Sequence, residues 1–341
     1  MSRARFIFLA LALAASAGQA QDQLPVVKVV ATGGTIANTP SGRLHAGEVA
    51  EAIPALKKIA RLDVEEVMRV GSSSITVEQW LILAKRVNEI LARQPELQGI
   101  VVTHGSNTVE ETAYFLHLTV KTEKPVVLTA AQRQFTTLSS DSPKNFLQAV
   151  RVAVSAEAAG KGALVVTNDV INGARDVRKN ISYRVETYSS GDLGVLGFVD
   201  EDRVSFYRAP SKGRVIFDVS KLEKLPRVDI VYTYAGADGA LLDAAVTQAK
   251  ADGVIIAGFP TGSGTPAMDE AVKRLTASGT PVVMTNRGGM GRVTETASRQ
   301  GEKRPLIYGD NLTPQKARIL LMLALTTTRD PARLQQIFAN Y

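Results

Sequence analysis

Apolar, largely β-branched residues gather in short runs along this chain, and each run stops in a turn. Val26-Val27-Lys28-Val29-Val30-Ala31 leads into Thr32-Gly33-Gly34-Thr35, and Ile100-Val101-Val102 leads into Thr103-His104-Gly105-Ser106-Asn107-Thr108. Runs of this kind bounded by glycine predict buried strands. Further strands are predicted over residues 125–129, 163–166, 229–232, 253–257 and 281–284. Between them the spacing turns helical. Thr76 and Gln79 have the spacing of a capping box, and the helix they open places Trp80, Leu83, Ala84, Val87, Ile90 and Leu91 on one face. Residues 145–154 read as another helix, and residues 315–326 as the final one, with Pro314 suited to its first turn. Strands alternating with helices predict a parallel or mixed sheet covered by helices.

Composition narrows the picture. The 341 residues suffice for two domains, and no repeat or low-complexity tract interrupts them. The looser, proline-bearing stretch 207–227 suits a linker, which divides the chain into an α/β domain over 21–206 and a second over 228–341. Residues 1–20 read as a secretory signal: Arg3 and Arg5, an apolar run over 6–15, then Gly18-Gln19-Ala20. That run is too short to span a bilayer, which takes about 20 residues, so a periplasmic or secreted protein is expected, with no membrane contact after cleavage. There is no cysteine, which excludes disulfides and thiolate metal sites. The formal charge of +7, two of it from Arg3 and Arg5, is spread along the chain rather than gathered into a basic stripe, so no nucleic-acid partner is expected.

The two glycine-containing turns carry the candidate chemistry, because ligands of open α/β sheets bind outside the carboxyl ends of the strands. Thr35 follows two glycines, so the backbone can bend sharply and project its hydroxyl beyond the strand. Such a hydroxyl is a poor nucleophile until a base takes its proton. Ser106, Asn107 and Thr108 stand where a strand becomes a helix, where unpaired N–H groups favour a carboxylate or a developing oxyanion. Thr108 and Glu111 have capping-box spacing. His104 suits support of the second turn by hydrogen bonding, His117 a helix face, and His45 a solvated loop. No set of residues has metal-ligand spacing, and the first turn lacks the G-x-G-x-x-G of dinucleotide binding, so no cofactor is expected.

Ala31-Thr32-Gly33-Gly34-Thr35-Ile36-Ala37 and Thr103-His104-Gly105-Ser106-Asn107-Thr108 resemble the two signature segments of bacterial type II L-asparaginases and glutaminase-asparaginases. The resemblance extends through Glu110-Glu111-Thr112-Ala113-Tyr114-Phe115-Leu116, Asn168-Asp169, Arg175-Asp176-Val177-Arg178-Lys179, Phe217-Asp218-Val219-Ser220-Lys221-Leu222, Leu312-Thr313-Pro314-Gln315-Lys316-Ala317-Arg318 and Gln335-Gln336-Ile337-Phe338. It implies two α/β domains: a larger N-terminal mixed sheet with helices on both faces, and a smaller C-terminal parallel-sheet domain. It implies homotetramers with sites between subunits, and hydrolysis of a side-chain amide through an acyl-threonine. On this resemblance Thr35 is the nucleophile, Ser106 stands for a second threonine, and Lys179 for the lysine beside it. Ser72 holds the substrate carboxylate, with Gly34, Gly105 and Ser73 in the binding wall.

The departures from the family pattern concern the substrate's α-ammonium. Asn107 stands for an aspartate, Ser73 for a glutamine, and Ser298 for a glutamate; Ser263 lies nearest a missing asparagine, and no tyrosine occurs between Ile36 and Val102. These changes predict a substrate that lacks a free α-ammonium or keeps it in solvent, against the alternative of a weak ordinary asparaginase. They also predict a Lys179 that titrates closer to neutrality and acts as base, since a neutral amide does not stabilise its charge. A periplasmic small-molecule binding protein and an inactive family member are the remaining alternatives.

Overall fold

The computed structural model describes residues 24–212, 216–295 and 306–341. The predicted signal segment, at 1–20, lies outside the described residues.

An eight-stranded sheet is built from β1 (Val26–Ala31), β4 (Arg61–Glu66), β5 (Gly99–Thr103), β6 (Val126–Thr129), β7 (Ala163–Thr167), β8 (Val170–Gly173), β11 (Gly197–Val199) and β12 (Val204–Phe206). Its order is β12-β11-β8-β7-β6-β5-β1-β4. The strands from β4 to β7 are parallel, and β8, β11 and β12 continue antiparallel, so the sheet is mixed. Two small ribbons, β2 (Asn38–Thr39) with β3 (Gly42–Arg43) and β9 (Arg178–Lys179) with β10 (Tyr188–Ser189), project from it. Helix α1 (Ala46–Glu51) follows the first ribbon.

Both faces of the sheet are covered, which is why its inner strands are mostly apolar; the buried Lys28 of β1 is paired with Asp63 and Glu65 of β4. Alternate residues of one strand face opposite sides. Val30, Val102 and Leu128 share a core with α2 (Val77–Arg93) and α3 (Val109–Thr119), whereas Val29, Val101 and Val127 share one with α4 (Ser142–Val154). The capping box at Thr76 and Gln79 forms, and the predicted stripe of α2 is buried except for the partly buried Leu91.

A second sheet of four parallel strands, β13 (Val228–Tyr232), β14 (Gly253–Gly258), β15 (Val282–Asn286) and β16 (Ile307–Tyr308), is flanked by α5 (Ala240–Thr247) and α6 (Pro266–Ala277). Helix α7 (Pro314–Ala324) carries the predicted Pro314 in its first turn. It is not the last helix: Asp330 caps α8 (Pro331–Asn340), which buries Leu334 and Phe338 one helical turn apart. The expected final helix is corrected accordingly, the missed one being a short amphipathic element signalled by an Asp-Pro start. Ile319, Leu320, Leu321, Met322 and Leu323 of α7 are all buried, because α7 lies between α3 on one side and β13–β15 on the other. One core therefore runs from the large sheet through α3 and α7 to Ile255 and Val283 of the small sheet.

Candidate active site

Three turns meet at the carboxyl edge of the large sheet. Ala31, the last residue of β1, stands opposite Glu66 at the end of β4 and Thr103 at the end of β5, so all three strands release their chains together. Thr32 ties the turns at their roots, its N–H and Oγ1 both donating to Thr103 O, at 3.0 and 2.9 Å. Two glycines then allow backbone to lie on backbone. Gly34 has φ of 94°, and a Cβ there would stand 2.3 Å from Gly105 Cα. A Cβ on Gly105 would in turn stand 2.5 Å from Ser72 Oγ. The first turn thus packs on the second and the second on the Gly71-Ser72-Ser73 turn, which gathers Thr35, Ser106 and Ser72. Thr35 opens a short 3-10 turn, Thr35–Ala37, and is partly exposed.

Ser72 is buried; its Oγ accepts the Asn107 N–H at 3.1 Å and its carbonyl accepts Thr108 Oγ1 at 2.8 Å. That second bond corrects the reading of Thr108 and Glu111 as a capping box. Thr108 stands at the helix N-cap, but its hydroxyl is turned across to the neighbouring turn, with no side-chain cap bond. Ser73 follows Ser72 on the same short helical turn and is exposed.

The lysine arrives from the other side. In the β9–β10 ribbon Lys179 pairs with Tyr188. Lys179 Nζ donates to Ser106 Oγ at 2.9 Å and to Asn107 Oδ1 at 3.3 Å, and Tyr188 Oη donates to the Ser106 carbonyl at 2.6 Å. The Lys179 N–H donates to the Glu110 carboxylate on the first turn of α3. Burial pushes the Lys179 ammonium below the ordinary lysine range, and Glu110 opposes that shift. Glu110 is itself pushed up by burial, against Lys316, the Lys179 N–H, Arg178 and Lys179. The cause is burial, and not the neutral amide of Asn107 on which the expectation for Lys179 rested. An ammonium only donates, so Asn107 presents its oxygen to Lys179 and its NH₂ elsewhere. Chemically, a lysine eased toward its neutral form and bonded to a serine hydroxyl can take a proton through that hydroxyl.

His104 supports the second turn, as expected. It is buried, and Nδ1 bonds the Gly105 carbonyl at 2.8 Å, while Nε2 meets Thr112 Oγ1 at 2.9 Å; that hydroxyl also receives Trp80 Nε1 at 2.8 Å. His45 stands at the start of α1 with its side chain 65 % exposed, 3.4 Å from Glu66. His117 lies on α3, buried and stacked on Tyr114. In the β2–β3 ribbon after the first turn, Arg43 Nη1 would lie 3.0 Å from a Cβ on Gly33. Ser263 lies in a turn of the second unit, 3.2 Å from Thr261 Oγ1, and Ser298 is outside the described residues. Glu110, Tyr188 and Arg43 were not anticipated. Glu110 had a signal in its motif; the other two are placed by short ribbons with no periodicity to read.

Among the described residues no group of three or more His, Cys, Asp or Glu is arranged to hold a metal ion, and no helix is long and apolar enough to cross a membrane. Two family models match the chain: "Asparaginase, N-terminal" over residues 26–212 and "Glutaminase/Asparaginase C-terminal domain" over 227–338. The chain is 42 % identical over 340 residues to L-asparaginase 2 of Bacillus subtilis, covering 96 % of this chain and 89 % of that one. It is 38 % identical over 330 residues to the "Probable L-asparaginase periplasmic" of Haemophilus influenzae, covering 93 % of each. The crystal structure of a "Probable Cytoplasmic L-asparaginase" from Campylobacter jejuni superposes with a TM-score of 0.88 at 39 % identity, covering 93 % of this chain and 100 % of that one. With a fold that superposes on a solved asparaginase, both family models and relatives of this identity along nearly its whole length, the chain belongs to the asparaginase family.

Proposed function

We propose that this protein is an amidohydrolase that converts a small side-chain amide, L-asparagine or a related short amide, to carboxylate and ammonia through an acyl-enzyme on Thr35. The observation that carries the reading is the 2.9 Å bond from Lys179 Nζ to Ser106 Oγ, in the turn on which Gly34 lies. Neutral Lys179 draws a proton through the Ser106 hydroxyl as Thr35 Oγ attacks the amide carbonyl. Backbone N–H groups at the turns steady the oxyanion. The C–N bond breaks, the nitrogen takes a proton and leaves as ammonia, and an ester joins the acyl group to Thr35. Water then attacks the ester carbon, the C–O bond breaks, and Thr35 regains its proton. Ser72 accepts from Asn107, so its own hydroxyl proton is available to a substrate carboxylate, with Ser73 and the Gly34 and Gly105 backbone beside it.

Asn107 bears on which amide. Its acceptor oxygen is engaged by Lys179, so toward substrate it offers donors, which suit a carboxylate and not an ammonium. Leaving a buried ammonium without its carboxylate costs about 3–5 kcal/mol, roughly two to three decades in affinity. The preferred substrate is therefore an amide whose α-ammonium is acylated, absent or in solvent. Ammonia release is to be compared for L-asparagine, N-acetyl-L-asparagine and succinamate, with Thr35→Ala as control. A higher kcat/KM for the latter two is expected, and none of the three is hydrolysed by Thr35→Ala. A clear preference for L-asparagine would return the protein to an ordinary asparaginase, and no hydrolysis of any amide would remove the enzymatic reading.

The N-terminal pattern over 1–20 and the periplasmic designation of the Haemophilus influenzae relative support export with cleavage near Gln21; the family resemblance supports a homotetramer. Intact mass and light scattering of protein recovered from the periplasm test both. A mass retaining residues 1–20, or a monomer in solution, would refute the respective part.

A further inference from the structure

Lys316 is the one long cation of α7 buried to the backbone: 1 % exposed, inside the core that joins the two sheets. A fully buried ammonium is costly, and an apolar side chain would fill the same volume without that cost. Its partners are specific. Nζ donates to the carbonyl of Arg175 at 2.8 Å and to the carbonyl of Val177, and lies 5.9 Å from the centre of the Tyr114 ring. Those carbonyls belong to the stretch that leads directly into Lys179. The charge of Lys316 also favours the ionised form of Glu110, the carboxylate that accepts the Lys179 N–H.

We propose that Lys316 is a positioning residue for Lys179: from the second α/β unit it fixes the 175–177 backbone and holds Glu110 charged, so that Lys179 is presented to Ser106 in the right place and charge state. The inference rests on the proposed role of Lys179 as base. Two links make the path. The mechanical link runs from Lys316 Nζ through the Arg175 and Val177 carbonyls to the backbone of Lys179, two residues on. The electrostatic link runs through Glu110, whose charge keeps Lys179 from falling further below the ordinary lysine range. Without Lys316, Glu110 loses the largest of the influences that oppose its protonation. A more readily neutralised Glu110 releases Lys179 to titrate at lower pH. The other charged groups around Lys316 are Glu111 on α3 and Arg175, Asp176 and Arg178 on the stretch before Lys179. Arg175 is held separately, by Asp176, Asn311 and the Tyr341 carbonyl, so this stretch keeps an anchor when Lys316 is changed.

The test is the pH profile of kcat for amide hydrolysis by the full protein. The acid limb is first assigned through Lys179→Met, which should abolish it. Lys316→Met is then expected to lower kcat by roughly tenfold or more and to move the limb to lower pH by about half a unit, with a smaller change in KM. Glu110→Gln, which keeps an acceptor for the Lys179 N–H, should move the limb the same way. The double variant should move it no further than either alone, because both act through one carboxylate. If Lys316→Met does not fold, Lys316→Gln, which keeps donors for the two carbonyls and drops only the charge, is put to the same test. Lys316→Arg should return the limb toward its original position. A limb unmoved in a folded, neutral Lys316 variant, or shifts that add in the double variant, would overturn the inference. A limb that survives Lys179→Met would instead overturn the role of Lys179 itself.

Discussion

His104 shares the second turn with Ser106, yet neither ring nitrogen is left for substrate. Nδ1 donates to the Gly105 carbonyl, so Nε2 is the acceptor of the Thr112 hydroxyl, which in turn accepts from Trp80. Burial pushes the His104 pKa down to about 4, and the imidazole stays neutral through the range in which Lys179 would work. The price of that neutrality is acid sensitivity. An unfolded chain protonates its histidine near the ordinary value of 6.5, while the folded one holds out to about 4. Stability is complete above pH 6.5, declines as pH falls between the two values, and is lost below the lower one, by roughly 3 kcal/mol for this group. Urea unfolding of wild type and His104→Gln should show a smaller decline between pH 6.5 and 4 in the variant. Equal declines would mean that His104 is not the group responsible.

At the scale of elements, the strands beneath the site are legible because parallel strands covered on both faces are predominantly apolar. Val26–Ala31 and Gly99–Thr103 announce themselves in this way. Helix α2 was readable from its cap and its stripe. What could not be read has a common physical cause: elements too short to carry a period. The ribbon β9–β10 has two residues per strand, yet it delivers Lys179 and Tyr188 to Ser106. The ribbon β2–β3 is equally short and brings Arg43 toward Gly33. Thr108 illustrates a different limit: spacing admits a capping box, but a carbonyl from a neighbouring turn captured the hydroxyl. Gly34 and Gly105 were singled out as turn residues, and their closeness to each other came only with the parallel register of β1 and β5. Helix α8 has its own signal in the sequence, an Asp330-Pro331 start with Leu334 and Phe338 one turn apart.

Across the whole molecule, the chemistry stands at the edge of one sheet while its electrostatic setting is shared with the other. Residues Ile319 to Ala324 of helix α7 are buried on every side because both units pack on it, and it is from the first turn of this helix that Lys316 reaches the 175–177 stretch. The two α/β units are therefore joined by more than apolar packing: a buried cation of one is bonded to the backbone that leads into Lys179 of the other. All of this acquires a function only if Thr35 becomes acylated. The direct measurement is peptide mass spectrometry of the mature protein after brief exposure to mono-p-nitrophenyl succinate, an activated ester whose free carboxylate suits the donors around Ser72. One succinyl group on the peptide containing Thr35, absent from Thr35→Ala, is the expected result. Stoichiometric reversible binding without a covalent label, or a label confined to Ser106 or Lys179, would contradict it.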